Sequence, residues 1–247
     1  MAYILQSQRA MLMAHPEQIL TSHQIAAYRN LITRRVAGYP LPYLLGLVEF
    51  YGLTFEVTPE VLIPRPETEI LVELALDRPA THIVDVGTGS GCIAVTLAVH
   101  QPQVQITAID ISPAALAVAQ RNIDRHDVQS QVHLMTGDVL TPRPGIADLI
   151  VSNPPYIPTG QCASLQASVR DHEPRQALDG GSDGLAIIQQ LLSQAPSILQ
   201  PNGRLLIEIG ADQGAVAYDL ALVAFPHARI RIHRDLAGRE RVLEVQT

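Results

Sequence analysis

The sequence predicts an α/β fold in which a mostly parallel sheet carries helices on both faces. From His82 onward, short apolar runs of strand type alternate with segments of helical periodicity. Such alternation is typical of parallel strands joined by right-handed helical crossovers. The chain has 247 residues, 47% of them hydrophobic, which is enough to bury one large domain. In such folds, ligands bind beyond the carboxyl ends of the strands.

Residues 1–37 are predicted to form a short helical segment. Thr21-Ser22 can cap a helix whose apolar residues repeat at helical spacing as far as Ile32. Arg34-Arg35 suit the negative end of that helix dipole. One good helix and the fragment before it are too little to bury a core alone.

Residues 38–63 are predicted to link this segment to the main domain, residues 64–247. Val48–Val57 has strand composition, and Gly52 lies where a hairpin turn would form. Pro66 and the acidic residues after it suit the first turn of a helix.

The main domain is predicted to contain seven strands, and a glycine or a polar residue follows each of the first four. The strands are Ile83–Val86, Val104–Ile109, Val132–Met135, Asp148–Val151, Gly203–Ile209, Ala228–His233 and Glu240–Val245. Helices are predicted from about Ile70, Ile93 and Pro113, and over Leu185–Leu199 and Gln213–Val223. Gly87, Asp110, Asp138 and Asn153 follow the first four strands, so we expect them on one rim of the sheet.

The run Gly87-Thr88-Gly89-Ser90-Gly91, between a strand and a helix, predicts a nucleotide-type loop. The glycines allow a tight turn and close backbone approach, and the helix start offers free N–H groups. By itself the loop is a weak signal, because dehydrogenases and phosphate-binding proteins use relatives of it. Asp85 before it would repel a pyrophosphate, whereas it suits a cationic ammonium or sulfonium group.

Asp110 and Asp138 extend this into a candidate cofactor site. Asp110 is placed to accept hydrogen bonds from both hydroxyls of a ribose, and Asp138 from the exocyclic amine of an adenine. Each acid alone could equally cap a helix or lie in a solvated turn. Together with Asp85, they fit an adenosine that carries a positively charged amino-acid tail, which is S-adenosylmethionine.

Asn153-Pro154-Pro155-Tyr156 is the candidate catalytic and substrate-binding element. The two prolines lock φ and push the residue before them out of helical space. A planar NH2 group could then donate to the Asn153 side-chain oxygen and the Pro154 carbonyl, with its face on Tyr156. We also expect Asn153 to reach the cofactor. The alternative is an ordinary strand-to-loop turn, since Asn-Pro commonly starts one.

Composition argues against several other functional classes. The net charge of -7 disfavours broad electrostatic capture of nucleic acid. The two cysteines and nine histidines show neither a disulfide framework nor metal-ligand spacing. No apolar run reaches the length of a membrane span, and no signal peptide is recognisable. We therefore expect a cytoplasmic protein with no metal, no membrane association and no direct nucleic-acid substrate.

The glycine loop, Asp110 and the Asn-Pro-Pro-Tyr element resemble class I S-adenosylmethionine-dependent methyltransferases that methylate planar NH2 groups. A wider resemblance, from about residue 18 to the end, is to the peptide chain release factor N5-glutamine methyltransferases, the HemK/PrmC family. It is carried by Arg34-Arg35, Gly38, Pro40, Leu62–Glu69, Asp85–Gly91, Asp110–Ser112, Glu173-Pro174, Ala177-Leu178, Glu208–Gly210, Gln213 and Gly238-Arg239.

This resemblance implies a Rossmann-like, seven-stranded sheet. It also implies transfer of a methyl group to the side-chain amide nitrogen of the glutamine in the Gly-Gly-Gln motif of release factors, in support of translation termination. Members of the family usually begin with a small helical bundle that helps to bind the release factor. We expect its first helices to be missing here, either because the start is truncated or because this member docks with less.

Some roles stay open at this stage. Arg65 is either a surface charge or a placed contact between two prolines, and Glu173 and Arg175 either close over the substrate or lie on the surface. Adenine in DNA or RNA offers the same planar NH2 group, and a glutamine of a ribosomal protein would differ only in its docking surface. A regulatory module that binds a nucleotide without turnover would keep the glycine loop but would have no use for Asn153.

Overall fold

A computed structural model describes residues 1–247, apart from the side chain of Arg9. The chain begins with four helices: α1 (Ala2–Leu5), α2 (Arg9–Ala14), α3 (Ser22–Val36) and α4 (Leu41–Leu45). Thr21 caps α3 in a capping box with Gln24, so the helix predicted from the Thr21-Ser22 cap is confirmed. None of the residues of α3 is buried, which leaves its apolar side chains partly exposed.

The predicted hairpin is present and packs tightly on the main domain. Its strands β1 (Leu47–Phe50) and β2 (Leu53–Glu56) are antiparallel. Asn122 holds it in place: the backbone N–H of Glu56 donates to Asn122 Oδ1 at 2.6 Å, and Asn122 Nδ2 donates to the Glu56 carbonyl at 3.0 Å. Phe50 and Phe55 are fully buried in the core of that domain. The hairpin is therefore an integral part of the domain surface.

The central sheet has seven strands: β3 (His82–Val86), β4 (Gln105–Asp110), β5 (Val132–Thr136), β6 (Ala147–Ser152), β7 (Leu199–Glu208), β8 (Arg229–Arg234) and β9 (Glu240–Gln246). Their order is β5-β4-β3-β6-β7-β9-β8, and only the pairings of β9 are antiparallel. From β3 the chain proceeds through β4 to β5 at one edge of the sheet, and it then returns to place β6 on the other side of β3. This switch point brings the ends of β3, β4 and β6 together.

Six further helices follow the hairpin: α5 (Glu69–Leu76), α6 (Cys92–His100), α7 (Pro113–Arg125), α8 (Ala167–Arg170), α9 (Ala186–Gln194) and α10 (Gly214–Ala224). Successive strand residues are buried on opposite faces. Leu149 and Val151 of β6 pack with the core under α5 and α6, and Ile150 packs with the core under α9 and α10. The predicted α/β layering, with helices on both faces, is confirmed.

One predicted helix is shorter than expected. The segment Leu185–Leu199 forms α9, then a 3-10 turn over Ala195–Ser197, and Leu199 already belongs to β7. Pro196 accounts for the end of the α-helix, because it lacks a backbone N–H and its ring clashes with the preceding turn. The long polar loop also has structure of its own, a 3-10 turn over Thr159–Ser164 and the short α8. None of the described helices is long and apolar enough to cross a membrane.

Candidate active site

A cavity of ≈ 280 Å³ lies at the carboxyl ends of β3, β4, β5 and β6. Most of the predicted site residues line it: Gly87, Thr88, Gly89, Asp110, Asp138, Asn153, Pro154 and Pro155. Three predicted site residues, Asp85, Gly91 and Tyr156, are not part of its wall. The sheet thus brings together residues that are up to 68 positions apart in sequence, as the strand-end rule predicts.

The glycine loop is held against β4 by its own backbone. Gly87 and Thr88 both donate their N–H groups to the carbonyl of Ile109, at 2.8 and 2.9 Å. Gly87 and Gly89 have φ values of 72° and 56°, a left-handed region that other residues rarely adopt. Gly91 has a second function, because a Cβ there would lie 3.2 Å from the Cβ of Ala119 on α7. Gly91 therefore allows close packing of α6 on α7, and its direct contact with a cofactor stays a prediction.

Asp110 both fixes the glycine loop and faces the cavity. Its Oδ2 accepts from the N–H of Gly89 at 2.9 Å, and its Oδ1 accepts from the N–H of Ser112 at 2.9 Å. Burial raises the pKa of Asp110, and these two N–H bonds oppose that shift. Each carboxylate oxygen keeps a further lone pair, so hydroxyl groups of a ligand can still be accepted.

Asp85 lies fully buried beneath the loop. Its Oδ2 accepts from the Thr88 hydroxyl at 2.6 Å, whereas its Oδ1 has no hydrogen-bond partner among the described residues. Burial raises the pKa of Asp85 to about 7, although the Thr88 bond favours the charged form. An ionised carboxylate here gives the loop a negative underside without touching the cavity.

Asn153 leads into a chain of buried hydrogen bonds that sequence reasoning did not predict. Asn153 Nδ2 donates to the Thr68 hydroxyl at 2.9 Å, and Thr68 donates to Glu208 Oε2 at 2.7 Å. Thr68 and Glu208 are 2% and 1% exposed. Both lie in motifs that carry the family resemblance, and Glu208 is also an acid at a strand end. The rule that an acid at a strand end marks a site, applied to β7 as it was to β4, would have predicted Glu208 as a site residue.

Tyr156 contacts the same carboxylate from the other side. Its hydroxyl donates to Glu208 Oε1 at 3.4 Å, and its carbonyl accepts from Gln213 Nε2 at 3.0 Å. Gly184 allows this hydrogen bond, because a Cβ there would clash with the Tyr156 carbonyl oxygen and with Gln213 Nε2. Stacking of the ring on a substrate amide stays a prediction.

An ion pair between Arg65 and Glu173 lies beside the cavity wall. Arg65 Nη2 lies 2.6 Å from Glu173 Oε1, and the N–H of Ile63 donates to Glu173 Oε2 at 3.1 Å. Glu173 is buried, so it has a placed contact and no surface role. Arg175 points away, with its side chain 69% exposed and paired to Asp179.

Two known protein families match parts of this chain. The family described as "Methyltransferase small domain" matches residues 66–170, and "PrmC N-terminal domain" matches residues 1–46. A curated relative named "Release factor glutamine methyltransferase", from Moorella thermoacetica, is 46% identical, over 94% of this chain and 84% of its own. In all, 334 curated proteins match with significance.

Solved structures show the fold. A methyltransferase from Pyrococcus furiosus superposes with a TM-score of 0.61 at 18% identity, over 92% of this chain and 98% of its own. The 16S rRNA N2 G1207 methyltransferase of T. thermophilus, in complex with AdoMet and guanosine, has a TM-score of 0.58 at 17% identity, over 81% of this chain and 49% of its own. The predicted class I methyltransferase fold is confirmed.

Proposed function

The chain belongs to the release factor glutamine methyltransferase family, and from that premise we propose its reaction and its substrate. It transfers a methyl group from S-adenosylmethionine to the side-chain amide nitrogen, N5, of the glutamine in the Gly-Gly-Gln motif of a peptide chain release factor. This reaction supports translation termination in the cytoplasm. The observation that carries the proposal is Asn153, whose Nδ2 is bound to Thr68 so that Oδ1 remains free to accept.

The residues around the cavity fit S-adenosylmethionine. The buried Asp85 carboxylate, with one oxygen unpartnered among the described residues, suits a positively charged tail above the glycine loop. Asp110 offers the ribose hydroxyls two carboxylate oxygens, and Asp138 on the cavity wall suits the adenine amine. S-adenosylmethionine supplies an electrophilic methyl group on a positively charged sulfur.

The protein's own contribution is orientation. An amide nitrogen is a poor nucleophile, because its lone pair is delocalised into the carbonyl. Asn153 Oδ1 and the Pro154 carbonyl accept the two hydrogens of the substrate NH2 group and favour a pyramidal nitrogen. No base is needed before transfer, since the proton can leave afterwards. Positioning of this kind can lower a barrier by several kcal/mol.

The proposal is tested with isotope-labelled S-adenosylmethionine and a purified release factor. We expect label in one tryptic peptide, on the glutamine of the Gly-Gly-Gln motif. Label on adenine in DNA or RNA, or on a ribosomal protein, with none on the factor would replace this substrate. Calorimetric titration with S-adenosylmethionine and then NAD separates a methyltransferase from a dehydrogenase.

A further inference from the structure

Three segments that are distant in sequence meet behind Asn153. Thr68 ends the 3-10 turn Pro66–Thr68, and Glu208 ends β7. The parallel register pairs Ser152 with Ile207, so Asn153 and Glu208 leave the sheet side by side. The Thr68 hydroxyl lies between them, 2.9 Å from Asn153 Nδ2 and 2.7 Å from Glu208 Oε2.

The direction of these bonds follows from counting donors. A threonine hydroxyl has one hydrogen to donate and two lone pairs with which to accept. An ionised Glu208 can only accept, so it takes the hydrogen of Thr68. The Thr68 oxygen can then only accept from Asn153, which requires the Asn153 NH2 group on that side. The amide oxygen of Asn153 must therefore point the other way, towards the cavity.

We propose that Thr68 and Glu208 are positioning residues, which hold the Asn153 amide in the orientation that presents its oxygen to the substrate NH2 group. This inference rests on the proposed function, because the orientation matters only if the acceptor is an NH2 group. With the amide reversed, the NH2 group of Asn153 would face the NH2 group of the substrate, and two donors cannot form a hydrogen bond.

Protonation of Glu208 removes this constraint. A protonated Glu208 can donate to Thr68, and the Thr68 hydrogen is then free to turn towards a reversed Asn153. Burial raises the pKa of Glu208 to about 7, so the change falls in an accessible pH range. The groups that face Glu208 are Thr68, Tyr156 and Arg241, which favour its charged form, and Glu67, which disfavours it.

Matched variants at Thr68 test the hydroxyl. Thr68→Val keeps the shape and removes the hydrogen bonds, whereas Thr68→Ser keeps the hydroxyl. We expect Thr68→Val to lower the single-turnover rate on a release factor about 10- to 100-fold, the usual effect of losing a bond to a charged group. The dissociation constant for S-adenosylmethionine should stay within about twofold, because Thr68 supports Asn153 and not the cofactor. Thr68→Ser should restore most of the rate.

The pH dependence tests Glu208 separately. With both substrates saturating, the wild-type single-turnover rate should fall as the pH drops below about 7. In Glu208→Gln, the new amide can accept from Thr68 and donate to Tyr156. The chain of hydrogen bonds that orients Asn153 therefore persists without a titrating group. We expect that variant to lose the acidic limb of the profile. Glu208→Leu, which cannot accept, should be slow at every pH.

The side-chain NH2 signals of Asn153 give a readout that needs no activity. In nitrogen-resolved NMR spectra they should shift with the ionisation of Glu208 in the wild type and stay constant in Glu208→Gln. The positioning role of Thr68 would be overturned if Thr68→Val turned over at the wild-type rate. The role of Glu208 would be overturned if Glu208→Gln kept both the acidic limb and the Asn153 titration of the wild type. If the wild type methylated no release factor but its Asn153 signals titrated as described, the proposed function would be refuted. The hydrogen-bond chain from Asn153 to Glu208 would still be supported.

Discussion

The guanidinium of Arg65 lies 2.6 Å from the buried carboxylate of Glu173, across 108 positions of sequence. The Glu173 side chain is 1% exposed and that of Arg65 is 30% exposed, so the acid is the buried partner and the arginine reaches it from the surface. Pro64 and Pro174, which neighbour these residues, both line the cavity. The ion pair therefore joins two segments that contribute to the cavity wall.

Arg65→Ala should destabilise the protein, because it leaves the buried Glu173 without its counter-charge. We expect a loss of about 1–3 kcal/mol in the free energy of unfolding, less than for a fully buried pair since Arg65 is partly exposed. Urea unfolding followed by circular dichroism measures this loss. Arg175→Ala is the matched control, and it should change stability by no more than about 0.5 kcal/mol. Equal effects of the two substitutions would contradict a special role for the Arg65 pair.

Asp110→Ala should weaken S-adenosylmethionine binding by about 2–4 kcal/mol, from loss of charge-assisted hydrogen bonds to the ribose and of the loop contact with Gly89. Isothermal titration calorimetry measures the change. Asp124→Ala removes an acid from the exposed face of α7 and controls for net charge. If Asp110→Ala bound the cofactor as tightly as Asp124→Ala, the assignment of Asp110 to the ribose would be wrong.

Asn153→Ala should leave cofactor binding nearly intact and reduce methyl transfer by about two to three orders of magnitude, because it removes an acceptor that orients the reacting nitrogen. Rapid-quench assays with saturating cofactor measure the transfer step, and calorimetry on the same sample reports the cofactor affinity. Retention of more than about a tenth of the wild-type rate would make Asn153 a structural residue.

Asp85→Asn should change how stability depends on pH. The pKa of Asp85 is raised by burial to about 7 in the folded protein. Its contribution is thus fully present below its ordinary pKa near 4 and is lost as the pH rises through about 7. The wild type should therefore lose about 2–4 kcal/mol relative to Asp85→Asn between pH 4.5 and pH 8.

Urea unfolding at several pH values measures the Asp85 effect. The titration of Glu208 changes stability with pH in the same direction, because its pKa is also raised. The comparison is therefore repeated in the Glu208→Gln background. Parallel stability curves for the wild type and Asp85→Asn would show that Asp85 does not titrate in this range.

The intact release factor should be a much better substrate than a free Gly-Gly-Gln peptide. A flexible peptide loses conformational entropy on binding and gains little contact area. Helix α3 offers a further surface, because it is exposed and carries Arg29, Arg34 and Arg35 without an acidic residue. We expect KM for the peptide to be at least about tenfold higher, at similar kcat, in steady-state assays. Equal kcat/KM for both substrates would refute docking beyond the active site.

Local sequence signals determined most of the fold and of the cavity wall. Alternating strand and helix patterns, the glycine loop and the Asn-Pro-Pro run each act within a few residues, so they can be read without knowing what packs against them. The strand-end rule then placed Asp110, Asp138 and Asn153 on one rim, and all three line the cavity. The break at Pro196 was also local, and greater weight on that proline would have ended the helix correctly.

Other features were decided only by the tertiary structure. Thr68 is 85 positions from Asn153 and 140 from Glu208, and no local pattern records which hydroxyl fills the space behind an amide. The complete burial of Asp85, with one oxygen left without a partner among the described residues, likewise depends on what packs around it. The sequence by itself determined most of the residues that reach the active rim. Long-range packing decided which of their atoms remain free to bind, because hydrogen-bond direction and desolvation depend on neighbours that the chain supplies from far away.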